Sequence, residues 1–266
     1  MEEEPGEQAG SGGIDMAEKP RLKADLHVHT ISSGHGYSTV REICRAAAER
    51  GLELVAITDH GPAMPGGPHL YHFTNLIVLP RVLSGVKVLR SAECNIMDTD
   101  GNIDIHDRAL DALDIVHAGL HPFCGYGGKT ADENTEAVLA AIRSEKVDIL
   151  VHPGNPWFPL DYRTVVEAAA SNGVLLEVNN SSFTVIRKGS EKNCRQILKE
   201  AKRTGAKVCV GSDSHDASLV GTFERALALI DEVGIDEELI VNRSVSSVIE
   251  FLKSRGKEIS FQGLNI

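Results

Sequence analysis

The segment Ala24-Asp25-Leu26-His27-Val28-His29-Thr30 joins an apolar run to two histidines spaced two residues apart. In an extended strand, residues i and i+2 project to the same face, so His27 and His29 present two imidazoles together. Neutral nitrogen ligands suit zinc, iron or copper better than magnesium or calcium. A lone His-x-His pair is commonly nothing more than two strand histidines. Here, residues of ligand type recur at or just beyond the ends of later apolar runs: His60, Glu93, His121, His152, Asp213 and His215. Asp213-Ser214-His215 repeats the i, i+2 spacing, while Asp59-His60-Gly61 and His152-Pro153-Gly154 set a histidine in a turn stiffened by glycine or proline. With His35 the candidates number nine, and the two carboxylates among them, Glu93 and Asp213, are able to bridge. Such a set suffices for two or three metal ions and predicts metal-assisted hydrolysis.

Positioning these residues requires a fold that gathers several strand ends. Leu22–Val28, Leu54–Ile57, Val86–Leu89, Leu113–Leu120, Val147–Val151, Val174–Val178 and Lys207–Val210 read as short buried strands. Helical stretches separate most of them. Thr39 to Glu42 forms a capping box, with the helix stopping at Gly51, Asp161 caps a helix ending at Gly173, and Ser190 caps one ending at Gly205. Thr135–Ser144, Phe223–Val233 and Ser246–Arg255 add further helices, and Asp98 to Gly101 turns a small hairpin. Alternating strands and helices predict parallel strands with right-handed crossovers. A closed barrel collects strand ends on one rim, whereas an open sheet spreads them along a line. The expectation is therefore an α/β fold, a distorted seven-stranded (βα)7 TIM-like barrel forming a single domain over 20–266. Residues 1–19, rich in Glu and Gly, read as a disordered acidic tail.

The formal net charge of −11 and the absence of any Lys/Arg run argue against an extended nucleic-acid surface. Three divalent ions would offset about half of that charge, concentrated at one mouth, so an anionic substrate is still welcome there. Five scattered cysteines without a Cys-x-x-Cys fit reduced thiols in a cytoplasmic protein. No leader and no long apolar run suggests secretion or a membrane. The oligomeric state is not legible.

Asp25-Leu26-His27-Val28-His29-Thr30, Ile57-Thr58-Asp59-His60, Glu93, His152-Pro153 and Gly211-Ser212-Asp213-Ser214-His215 resemble the motifs of the PHP (polymerase and histidinol phosphatase) family. The similarity runs from about Leu22 to the end. It is most specific to stand-alone bacterial phosphatases of the YcdX type, through Asp59-His60-Gly61-Pro62, His152 to Pro156, Asn179 to Phe183 and Arg187 to Glu191. The resemblance implies a distorted seven-stranded barrel with three zinc ions. By position, one ion would take His27, His29, Glu93 and Asp213, a second would share Glu93 with His121 and His152, and a third would take His35, His60 and His215.

Such a cluster suits a small phosphomonoester substrate attacked in line by a bridging metal-bound hydroxide, with no protein nucleophile. Arg187 and Lys188, just before a helix N-terminus, form a candidate phosphate grip. His72 is a candidate for gating substrate or protonating the leaving group, and Asp25, by parity, for orienting an imidazole. His69 and His106 read as loop residues, His117 as a core or surface residue. Ligand type does not separate zinc from manganese or iron. Two rivals share the ligand pattern: an amidohydrolase-type barrel cleaving amides or lactones, and a non-catalytic metal-bound scaffold. Gly127-Gly128-Lys129-Thr130 is no P-loop, because the first glycine of that motif would fall on Phe123.

Overall fold

The computed structural model describes residues 21–127, 130–184 and 187–262. The expected tail at 1–19 lies outside them, as do Gly128 and Lys129 of the rejected P-loop. In chain order the elements are β1 (Ala24–Val28), α1 (Val40–Glu49), β2 (Leu54–Ile57), α2 (Tyr71–Asn75), β3 (Val82–Leu83) and β4 (Val86–Asn95). Then come α3 (Asp107–Leu110), β5 (Ile115–Gly119), α4 (Ala131–Arg143), β6 (Ile149–Leu150), α5 (Tyr162–Asn172) and β7 (Leu175–Asn179). The last are α6 (Ser190–Thr204), β8 (Val208–Gly211), α7 (Glu224–Val233) and α8 (Val245–Ser254). Strands pair in the order β1-β2-β4-β5-β6-β7-β8, all parallel, and β3 lies antiparallel on β4. Among the described residues this is a single domain, a nearly closed barrel of seven parallel strands with eight helices. No helix among the described residues is long and apolar enough to cross a membrane.

The ring closes between β8 and β1 without a continuous ladder. At the upper rim the Asp213 amide donates to His27 O (2.9 Å) and the His29 amide to Ser214 O (2.8 Å). Lower down, the buried Asn242 carboxamide spans the gap. It donates to Ala24 O (2.7 Å) and Val210 O (2.8 Å) and accepts from the Val210 amide (3.0 Å).

Strand alternation divides the core into two. Val55, Val88, Val116, Leu176 and Val208 face outward into the layer beneath the helices. Ala24, Leu54, Leu89, Ile115 and Leu175 fill the lower barrel, which α8 plugs with Val248, Phe251 and Leu252. Higher on the same inner face the strands switch to Ser91, Glu93, His117 and Glu177, all buried. The interior is thus apolar at its base and polar toward the strand C-termini, the end that carries active sites in such barrels. All five cysteines are free and buried.

Capping boxes at Thr39 and Thr130 open α1 and α4, and Asp161 caps α5. The Thr130–Glu133 box starts α4 four residues ahead of the expected Thr135. Ser190 does not cap α6: Gly189 occupies that position, and the Ser190 hydroxyl is buried inside the first turn without a partner. The expected strands at Leu113–Leu120 and Val147–Val151 shorten to five and two residues, although Asp148 and Val151, which flank the shorter one, still donate their amides to Val116 O (2.9 Å) and Ala118 O (3.0 Å) of β5.

Candidate metal centre

Glu93, near the end of β4, occupies the middle of the polar rim. Its Oε1 lies 2.9 Å from His121 Nε2, 2.9 Å from His152 Nε2 and 3.4 Å from His27 Nε2. Its Oε2 lies 2.8 Å from His60 Nδ1 and 3.4 Å from His29 Nε2. Asp213 Oδ1 is 3.3 Å from His29 Nε2 and 3.7 Å from His27 Nε2. The His215 ring stacks 4.2 Å from His29 and 4.7 Å from His35, and His35 stacks 5.0 Å from His60. All nine expected residues therefore meet in one bowl. Three tight sets of donor atoms stand out: His27, His29 and Asp213; His60, Glu93 and His121; His29, His60 and His215. His29 and His60 each belong to two sets, and His35 and His152 fall outside all three. Nearest-atom grouping therefore differs from the allotment that the family resemblance implies.

The donors fit divalent transition ions. His60 Nδ1 and Glu93 Oε2, though 2.8 Å apart, are both buried without a hydrogen bond. His27 and His29 bring their Nε2 atoms to 3.1 Å, and His121 and His152 theirs to 3.0 Å. Buried lone pairs left unpaired cost about 1–3 kcal/mol each, a penalty that a cation between them removes. Backbone strain points to the same place. His152 and Asp213 have φ of 32° and 52°, left-handed values that cost non-glycine residues about 1–3 kcal/mol and that cluster at functional sites.

Behind the donors stands a set of orienting groups. Glu177, from β7, accepts at 2.7 Å from His27 Nδ1 and at 2.8 Å from the His152 amide. Asp59 gathers the hydroxyls of Thr30 (2.9 Å) and Ser33 (2.7 Å), and Ser33 Oγ lies 3.1 Å from His29 Nδ1. Asp213 Oδ2 takes Arg187 Nη1 at 2.8 Å and Asn179 Nδ2 at 3.0 Å. Asp25 does not orient an imidazole. The β1–β2 register slips by one residue between Asp25 and Val28, a bulge that breaks the parity of Asp25 with His27 and His29. Asp25 instead binds the amides of Ser212 (3.1 Å) and Gly221 (2.8 Å), fixing the loop after β8. Sequence reasoning missed Glu177, whose only signal is a lone acid inside an apolar strand.

Electrostatics follow this arrangement. Burial opposes a charged His27, yet Glu177, Glu93 and Asp213 hold its pKa well above the usual histidine range. Burial depresses His29 well below that range, with His60 and His215 adding to it, and takes His152 to about 4 with help from Arg187. Burial would raise the carboxyl of Asp213, but Arg187 and His27 keep it well below the ordinary range. Neutral imidazoles and ionised carboxylates are the forms that bind metal.

The bowl opens into a cavity of about 590 Å³ lined in part by His35, His60, His121, Asp213 and His215, with Arg187 on its wall. The other two expected substrate contacts lie elsewhere. Lys188 is exposed and does not line the cavity. His72 Nε2 sits 3.2 Å from Asp59 Oδ2, behind the donors rather than in the opening. His117 is buried with its Nδ1 2.9 Å from Ser91 Oγ, beneath the donor layer.

A parallel barrel that gathers histidines and two carboxylates on its C-terminal rim is the arrangement of metal-assisted hydrolases. The PHP domain pattern matches residues 25–240, and the chain belongs to that family. A protein of Caldanaerobacter subterraneus named a probable phosphatase is 48% identical over 241 residues, 91% of this chain and 95% of that one. One of the same name in Shewanella oneidensis is 50% identical, over 88% and 92%. Among solved structures, the Lactococcus lactis histidinol phosphate phosphatase, complexed with zinc, L-histidinol and phosphate, aligns with a TM-score of 0.55 at 19% identity, covering 81% of this chain and 95% of that one. A putative histidinol phosphatase of Listeria monocytogenes aligns at 0.58 and 16%, covering 76% and 99%.

Proposed function

We propose that this protein hydrolyses small phosphate monoesters in the cytoplasm, with three divalent ions, zinc foremost, held by His27, His29, His35, His60, Glu93, His121, His152, Asp213 and His215. That the protein is a phosphoesterase follows from its family and its relatives. The observation that carries the finer reading is Glu93, whose two oxygens face different groups of histidines, as a bridging carboxylate must. Manganese or iron would suit the same donors. Bound ions supply Lewis acidity and a water acidic enough to serve as nucleophile at neutral pH.

The chain's own residues do the rest. Glu177 holds His27 in one tautomer and ring plane, and Asp59 does so for His29 through Ser33. His72 acts through Asp59, as a positioning residue. Arg187, fixed by Asp213 and facing the cavity, orients the phosphoryl oxygens and balances their charge. Ser33, whose Oγ lies 3.1 Å from His29 Nδ1, is buried against Asp59 and does not line the cavity, which is consistent with direct attack by water.

The test is a panel on metal-reconstituted protein with elemental analysis. Phosphate release from p-nitrophenyl phosphate is expected, no turnover of amides or lactones, and a loss of at least about 100-fold in His27→Ala. Turnover of a lactone or amide but of no phosphate ester would establish the amidohydrolase reading. A metal-loaded protein that turns over neither would establish the scaffold.

A further inference from the structure

We propose that Asp104 is a positioning residue of the metal centre, a carboxylate set between two strand ends that fixes how His60 and Glu93 face each other. The inference rests on the metal-assisted reading above. Asp104 belongs to none of the donor sets and does not line the cavity, so it acts through its neighbours.

His60 pairs with Glu93 in the same parallel register that joins Leu54 to Lys87, which carries the β2–β4 ladder up to the donors. The Glu93 amide donates to Asp59 O (3.0 Å) and the Gly61 amide to Glu93 O (2.8 Å). Bonds in a parallel ladder are evenly spaced, so the next amides due to cross are those of Asn95 and Ala63. Neither does. The Asn95 amide donates to Asp104 Oδ1 (2.8 Å) and the Ala63 amide to Asp104 Oδ2 (2.9 Å). Asn95 Nδ2 adds a third bond, to Oδ2 at 2.6 Å. The carbonyls that the two amides would have met are turned to other donors. Gly61 O accepts from the Met64 amide (3.1 Å), and Asn95 O from the Asp104 amide (3.2 Å). A side-chain carboxylate thus replaces the next rung, and the ladder stops immediately beyond the His60–Glu93 pair.

The hairpin after β4 delivers this carboxylate. Met97 donates its amide to Asn102 O (2.8 Å), which turns the chain back and sets Asp104 beside Asn95. Gly61 makes room for it. A Cβ on residue 61 would lie 2.3 Å from both Asp104 carboxylate oxygens, and its three nearest atoms all belong to that side chain. Gly61 is not among the residues of positive φ, so the glycine after His60 serves the close approach of Asp104 and not a left-handed turn. Without the carboxylate, the amides of Asn95 and Ala63 need new acceptors, and the nearest course is to zip the two strands one rung further. That draws the His60 loop along β4 and shifts His60 Nδ1 against Glu93 Oε2, now 2.8 Å apart. Groups that orient metal ligands in this way are typically worth about 10- to 100-fold in metal affinity or activity.

The test loads the protein with cobalt(II), whose visible d–d bands follow the number and arrangement of its ligands. Asp104→Asn keeps the volume, but its NH2 must face a donor in either orientation, Asn95 N on one side or Ala63 N on the other. Asp104→Asn and Asp104→Ala are expected to change the cobalt spectrum and weaken cobalt binding by about 10- to 100-fold. Turnover of p-nitrophenyl phosphate should fall mainly in kcat, because Arg187 is untouched. Gly61→Ala should reproduce the spectral change with Asp104 still present, and Gly61→Ala combined with Asp104→Ala should match Asp104→Ala alone, since the clash is gone. Asp98→Ala is the control for the hairpin itself. It removes the turn bonds to the Asp100 amide (3.0 Å), the Asn102 amide (3.1 Å) and Asn102 Nδ2 (2.9 Å), and should lower the urea midpoint with the wild-type spectrum intact.

Asp104 variants that lose stability as Asp98→Ala does, yet keep the wild-type spectrum and cobalt affinity, overturn the inference and make Asp104 an anchor of the hairpin alone. Strictly additive effects of Gly61→Ala and Asp104→Ala overturn it as well. Should Asp104→Ala not fold, Asp104→Asn and Gly61→Ala carry the same spectral comparison. Wild-type protein that binds no cobalt and releases no phosphate removes the metal-assisted reading, and this inference with it.

Discussion

At the scale of single residues, the centre depends on acids that never face the substrate. Glu177 binds a ring nitrogen of one donor and the backbone of another, so Glu177→Gln keeps the volume and loses the charge that fixes His27. It is expected to retain the fold by circular dichroism and to lose about 10- to 100-fold in metal affinity or activity. His117 tests the electrostatics beneath the donors. Burial takes its pKa to about 3, and His152 to about 4, against about 6.5 in the unfolded chain. Between those values the unfolded state binds protons that the folded state does not. Metal-free protein should thus be fully stabilised by these groups above pH ~6.5 and lose stability as pH falls toward 4. Urea midpoints measured from pH 7 to 4.5 should show that decline, and His117→Gln should flatten it. The donors were legible because residue type and strand-end position survive in one dimension. Glu177 was not, because an acid in an apolar strand becomes meaningful only when its partner, 150 residues away, is known.

At the scale of elements, local rules worked where side chains speak to their own neighbours. The Thr39 box and the Asp161 cap are contacts across three residues, and sequence spacing specifies them. Asp25 failed for a non-local reason: the bulge that rotates it away from His27 arises in pairing with β2. Ser190 failed because Gly189, with its left-handed φ, already ends the loop. Thr130→Ala should destabilise by about 1 kcal/mol through its cap and leave metal content unchanged, measured by urea unfolding and elemental analysis. Gly211 is a stricter case. A Cβ there would collide with Glu177 Oε1 and with the His27 side chain. Gly211→Ala is therefore expected to break the Glu177–His27 contact and lower metal content together with stability.

At the scale of the whole molecule, the barrel was legible from alternation and from the polar ends of the strands, but its seam was not. Asn242 lies in a stretch without periodicity, and nothing marks it as a closure point until β1 and β8 are brought together around it. Asn242→Ala would strand Ala24 O and the amide and carbonyl of Val210 in the interior, for an expected loss of about 3 kcal/mol or more by urea denaturation. Metal should act in the opposite direction. At a free concentration a hundred times Kd, one site adds about 2.7 kcal/mol, so chelator treatment should lower Tm and zinc should restore it.

Because residue 242 and the helix that follows it stopper the barrel from below, every candidate ligand leaves the ribosome before the clasp that draws the first and last strands together. A chain stopped at residue 240 would hold the entire ligand inventory with its first and last strands joined only at the upper rim, and is expected to be cut by protease faster than the full chain. Biosynthesis would then pass through a histidine-rich nascent species, free to pick up ions in the wrong geometry until its final residues emerge.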